Sequence, residues 1–88
     1  MYVIIAYDVN VERVNKIKAY LRTKLTWIQN SLFEGEITES GLLKIKSDLQ
    51  QLINPDTDSV IIYIFNDKCY IERENLGLIK GDPNEVVI

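Results

Sequence analysis

The chain has 88 residues, with 13 acidic and 10 basic side chains, one cysteine and no histidine. That length makes one domain, residues 1–88, with a modest core, for which a second copy of the chain is a natural source of further burial. The absence of histidine excludes a Ser–His–Asp triad, a two-histidine ribonuclease site and a histidine-ligated zinc. A single cysteine excludes an internal disulfide and a thiolate zinc cluster. A catalyst built from this chain must work with carboxylates, Lys, Arg, Tyr, Ser or a bound metal.

The opening stretch, Tyr2 to Asp8, is apolar on both alternating sets: Tyr2, Ile4, Ala6 and Val3, Ile5, Tyr7. It reads as a strand covered on both faces. It lacks the basic start of a signal peptide. Asn10 is placed to cap a helix over Val11 to Leu25, with an apolar stripe of Val11, Val14, Ile17, Leu21 and Leu25. Thr26 to Glu34 reads as a strand, Gly35 as a bulge or turn, and Glu36-Ile37 as its continuation. Thr38 caps a second helix, Glu39 to Ile53, striped by Leu42, Ile45, Leu49, Leu52 and Ile53 and stopped by Asn54-Pro55-Asp56. Val60 to Phe65 is a second strand apolar on both faces, far shorter than the roughly 20 residues of a membrane helix. Asn66-Asp67-Lys68 signals a turn with Cys69 to Glu72 as hairpin mate, and Cys69 reads as a small core residue suited to a reducing compartment. Leu76 to Ile79 and Val86 to Ile88 are short strand candidates in a tail over 76–88. The expected location is the cytoplasm, with no membrane contact.

This order predicts an α+β, ferredoxin-like βαββαβ sandwich with an extra C-terminal strand. Two helices cover one sheet face only, yet the Tyr2 and Val60 strands are apolar on both. The simplest cover for the second face is the same face of another copy, which makes a two-fold homodimer. The apolar end, Glu85-Val86-Val87-Ile88, is expected to add to a sheet edge in its own subunit or its partner.

Charge is unevenly spread. Residues 1–25 hold five basic residues, Arg13, Lys16, Lys18, Arg22 and Lys24, against Asp8 and Glu12; residues 26–88 hold five basic against eleven acidic ones. The first helix therefore carries either a solvated basic face or a phosphate-contacting ridge. The acidic pI near 4.8 argues against strong nucleic-acid binding by the chain alone.

Two segments carry a more specific pattern. Tyr7-Asp8 ends the first strand and is followed by a helix holding Arg13. Ile28-Gln29-Asn30-Ser31-Leu32-Phe33-Glu34-Gly35-Glu36-Ile37-Thr38 leads into the second helix, and Asp58-Ser59-Val60-Ile61-Ile62-Tyr63 opens the last strand. In these segments the chain resembles the small CRISPR-associated endoribonuclease family, Cas-two, over nearly its whole length. The resemblance implies a ferredoxin-like homodimer joined through the open sheet face. It also implies a C-terminal strand used in assembly, and a break of the Thr26–Thr38 region into two strands. It implies a place in spacer acquisition beside the CRISPR integrase nuclease. Family members include magnesium-dependent nucleases for RNA or DNA and members that are structural only.

At Asp8 the residues alone leave two readings, a surface carboxylate capping the loop before the first helix or a functional acid. The resemblance places the family's catalytic and metal-binding Asp on this position. Mg²⁺ suits a site with one or two carboxylates and retained waters. A two-fold axis would bring Asp8 from two chains together around one ion. Arg13 is either surface or a phosphate contact. Tyr7 and Phe33 are either core or in contact with nucleic acid, and Ser31 either donates to a phosphate or pairs in an interface. Trp27 stands where some nuclease-active relatives carry Arg, and it reads as an interface anchor or a base-stacking group. Three functions follow in order: a magnesium-dependent endonuclease, a non-catalytic adaptor of the integrase complex, and a ferredoxin-like module for a small ligand.

Overall fold

The computed structural model describes residues 1–66 and 71–81. Its elements run β1 (Tyr2–Asp8), α1 (Val11–Arg22), β2 (Thr26–Gln29), β3 (Leu32–Glu36), α2 (Glu39–Leu52) and β4 (Ser59–Phe65). The strands form one sheet in the order β2-β3-β1-β4 with every pair antiparallel. The two helices follow β1 and β3, so the βαββαβ arrangement expected from the sequence is the observed one.

The sheet alternation sorts the side chains. Val3, Ile5 and Tyr7 of β1 and Phe33 of β3 turn towards the helices and are buried, against Ile17, Leu21, Leu42, Ile45 and Leu49. These helical residues recur at the spacing of one helix face, which is why each helix lays a single apolar stripe against the sheet. Thr38 caps α2 by accepting a hydrogen bond from the Gly41 amide at 3.0 Å.

Several boundaries differ from the sequence reading. Helix α1 stops at Arg22, not Leu25, because the chain tightens: Thr23 and Lys24 amides donate to Tyr20 and Leu21 carbonyls three residues back, and the Thr23 hydroxyl also donates to Tyr20. Leu25 remains in the core from just beyond the helix, whereas Val11, expected in the stripe, is 83% exposed. The Thr26–Glu34 strand is broken by a turn at Asn30, whose φ of 40° is a conformation Asn adopts more readily than most residues. Leu76 to Ile79 form no strand, and Leu76 and Leu78 are largely exposed. Ile71 and Glu72 are likewise not in a strand; the rest of the expected hairpin, including Cys69, and the Val86–Ile88 strand lie outside the described residues.

The second sheet face carries Tyr2, Ile4, Ala6 and Asp8 of β1, Leu32, Glu34 and Glu36 of β3, and Ser59, Ile61, Tyr63 and Phe65 of β4. The chain covers one side of it itself. Arg73 pairs with Glu34, a carboxylate that burial would otherwise penalise. Gly81 packs so closely on the Trp27 and Ile28 carbonyls that a β-carbon there would collide with them. On the other side Ile61 and Tyr63 stay half exposed.

Candidate active site

One end of the sheet gathers the residues the sequence singled out. There β1 finishes at Tyr7-Asp8, the β2–β3 turn presents Asn30-Ser31, β4 begins at Ser59, and α1 starts after Asn10. Asp8 lies opposite Ser59 in the β1–β4 ladder, and the Tyr7 amide donates to the Ser31 carbonyl at 3.1 Å. Because Asp8 follows Ile4 and Ala6 at a period of two, it belongs to the sheet face away from the helices. It is exposed, and among the described residues its carboxylate takes part in no hydrogen bond or ion pair.

The neighbouring carboxylate, Asp58, is the opposite case. Its side chain is wholly shielded and accepts from five donors. Arg13 grips it with two of its nitrogens, Nε to Oδ2 at 2.6 Å and Nη2 to Oδ1 at 2.9 Å. The backbone amides of Asn10 and Asn54 donate to it at 2.9 and 2.8 Å, and the Thr57 hydroxyl at 3.2 Å. The Arg13 guanidinium, helped by the two amides, holds the Asp58 carboxyl well below the usual carboxylate range despite its shielding. The Asn10 side chain, by contrast, makes no capping bond to α1.

The other expected site residues are placed as follows. Phe33 has no exposed surface and Tyr7 only 6%, and their rings lie 6.2 Å apart, centroid to centroid. The expected nucleic-acid contact is therefore not available to either from these positions: they are core, packed beneath the strand that ends in Asp8. The Tyr7 hydroxyl is buried with no partner in hydrogen-bonding geometry, and burial raises its pKa, an effect that nearby Ser31 partly offsets. Ser31 is half-buried at the turn beside Tyr7. Arg13 is neither free surface nor open to a ligand, since Asp58, Glu12 and Thr57 share its guanidinium. Of the basic residues on α1, Lys18 and Arg22 gather over the Trp27 ring, at 3.8 and 5.5 Å from its centroid.

The donor set can be judged against a metal. No group of three or more His, Cys, Asp or Glu converges among the described residues. At this end of the sheet Asp8 is a hard oxygen donor with no partner among the described residues, which fits an ion that keeps most of its waters, such as Mg²⁺, and does not fit a closed protein cage.

The family model described as CRISPR associated protein Cas2 matches residues 1–73. The chain belongs to the Cas2 family. It is 51% identical over 88 residues to a protein of Archaeoglobus fulgidus named CRISPR-associated endoribonuclease Cas2 2, covering all of this chain and 96% of that one. It is 48% identical to the CRISPR-associated endoribonuclease Cas2 of Methanosarcina acetivorans, covering 99% of this chain and all of that one. Among solved structures, a Cas2 crystal structure matches with a TM-score of 0.82 at 45% identity, covering 100% of this chain and 98% of that one. Streptococcus pyogenes Cas2 matches at 0.76 and 31% identity, over 88% of this chain and all of that one. The family resemblance read from Tyr7-Asp8 and the Ile28–Thr38 segment is thereby established.

Within this Cas2 fold the residue that sequence reasoning missed is Asp58. In the sequence it stands out only as the first residue of the Asp58–Tyr63 segment, directly before β4 and just past the Asn54-Pro55-Asp56 helix stop. Nothing in its local sequence reveals that Arg13, 45 residues earlier, reaches it.

Proposed function

We propose that this chain is a magnesium-dependent endoribonuclease of the CRISPR system. It acts as a homodimer joined through the open sheet face and works beside the CRISPR integrase nuclease. The observation that carries this reading is the uncommitted Asp8 carboxylate. It ends an otherwise apolar strand, on the sheet face that one chain leaves partly open. Pairing of two such faces would bury Ile61 and Tyr63 and bring both Asp8 side chains towards the two-fold axis. Asp8 would hold the metal, while Tyr7 and Phe33 keep the strand end rigid from below. When bound, Mg²⁺ lowers the pKa of a water and stabilises charge developing on a scissile phosphate, chemistry that needs no histidine. The names of the relatives favour RNA as the substrate over DNA.

A second reading, a non-catalytic adaptor that spaces integrase subunits, is favoured by Arg13. Its guanidinium is committed to Asp58 and so is not available to a phosphate. One comparison separates the two. Wild type and Asp8→Ala are assayed for Mg²⁺-dependent cleavage of labelled single-stranded RNA and DNA, and for integrase binding. The nuclease reading predicts that Asp8→Ala abolishes cleavage and keeps dimer formation and integrase binding. Equal cleavage by both proteins sinks it, and integrase binding without any cleavage by wild type supports the adaptor.

A further inference from the structure

We propose that Asp58 is a positioning residue for Asp8, acting through Arg13 and the Asn10 backbone amide. The inference rests on the reading of Asp8 as a metal ligand. Asp8 has no side-chain partner among the described residues, so within them its placement rests on its backbone. That backbone is fixed from two directions. Across the ladder Asp8 faces Ser59, the residue next to Asp58. Two residues beyond Asp8, the Asn10 amide donates to Asp58 Oδ1 at 2.9 Å. The same carboxylate takes the Asn54 amide at 2.8 Å, from the loop that delivers β4. A single shielded side chain thus ties the segment leaving Asp8 to the segment entering the strand beside it.

Arg13 completes the tie from the first turns of α1. Its two-pronged grip at 2.6 and 2.9 Å fixes the helix against the same carboxylate. Shielding such a charge is costly unless every oxygen is satisfied, and here five donors satisfy both. A ligand held only by its backbone is sensitive to errors of a fraction of an ångström in that backbone. Asp58 therefore does for Asp8 what outer partners do for metal ligands generally: it orients without touching the ion.

The test measures Mn²⁺ affinity of the full-length dimer by electron paramagnetic resonance, at a temperature where all proteins are folded by circular dichroism. Wild type is compared with Asp8→Asn, Asp58→Asn and Arg13→Lys. Asp48→Asn serves as a control, because Asp48 ties α1 to α2 through the Tyr20 hydroxyl at 2.6 Å and has no contact with the Asp58 cluster. Asp58→Asn keeps one acceptor for the Asn10 amide and loses the charge that Arg13 grips. Arg13→Lys keeps the positive charge and both amide bonds, so it reports even if Asp58→Asn fails to fold. The expected result is loss of Mn²⁺ binding in Asp8→Asn, weakening by ~10-fold or more in Asp58→Asn, a smaller loss in Arg13→Lys, and no change in Asp48→Asn. If Asp8→Asn loses Mn²⁺ while Asp58→Asn and Arg13→Lys bind within twofold of wild type, Asp58 is a structural staple only and the proposal fails. If wild type and Asp8→Asn bind alike, the metal reading of Asp8 fails, and the positioning role falls with it.

Discussion

Replacing Tyr63 with Glu places a charge in the middle of the open sheet face. Tyr63 stands opposite Ile4 in the β1–β4 ladder and keeps 53% of its surface exposed. An aromatic side chain presents roughly 200 Å², so about 100 Å² of each Tyr63 is left for a partner to cover. At ~25 cal/mol per Å² that is about 2.5 kcal/mol per chain, and a two-fold interface counts it twice. A loss of about 5 kcal/mol weakens dimerisation by more than ~1,000-fold. Because the position is exposed in the single chain, the fold itself should survive. Sedimentation equilibrium of wild type and Tyr63→Glu, with circular dichroism as the fold control, reads both quantities. A variant that remains dimeric at the wild-type dissociation constant refutes the argument that this face joins two chains.

Other expectations concern the core and the helix layer. Phe33→Ala removes a fully buried ring from beside Tyr7 and should cost about 3–5 kcal/mol in urea unfolding; a loss below ~1 kcal/mol would show that this ring contributes little to the core. Tyr20 has its pKa pushed up to about 12, chiefly by burial and then by its hydrogen bond to Asp48. The folded state therefore keeps the Tyr20 proton after the unfolded chain has lost it. This contribution to stability is complete below about pH 10 and drains away as pH rises towards 12. Tyr2 and Tyr7 are also raised by burial, so phenolate absorbance should show several late-titrating tyrosines, and Tyr20→Phe should remove one of them; an unchanged titration contradicts the Tyr20–Asp48 tie.

The order of elements was legible because the apolar periods change cleanly between strand and helix. Ile17 and Leu21, and then Leu42, Ile45 and Leu49, are spaced for one helix face, and they are the residues found in the core. The two-sided strands were legible too, but their cover was not. The chain shields Glu34 with its own Arg73 and lays Gly81 on the carbonyls of β2, contacts between residues far apart in sequence that no local pattern marks. The turn at Asn30 sits in the polar run Gln29-Asn30-Ser31, which carries no Gly or Pro and reads through as strand between Trp27-Ile28 and Leu32-Phe33. At the site, Asp8 stood out as a charge ending an apolar strand. Arg13 looked like one more surface cation of a basic helix, because its partner Asp58 lies in a distant loop.

In the proposed nuclease the catalytic unit would be two chains sharing one metal at their paired Asp8 side chains. Mixed dimers, purified through two different tags, would each contain one wild-type chain and one Asp8→Asn chain. Their Mg²⁺-dependent cleavage of single-stranded RNA, set beside the two parent dimers, tests it most directly. A shared ion predicts that the mixed dimer is nearly as inactive as the doubly substituted one. Cleavage at half the wild-type rate would mean that each chain carries its own independent site, and would rule out a shared metal.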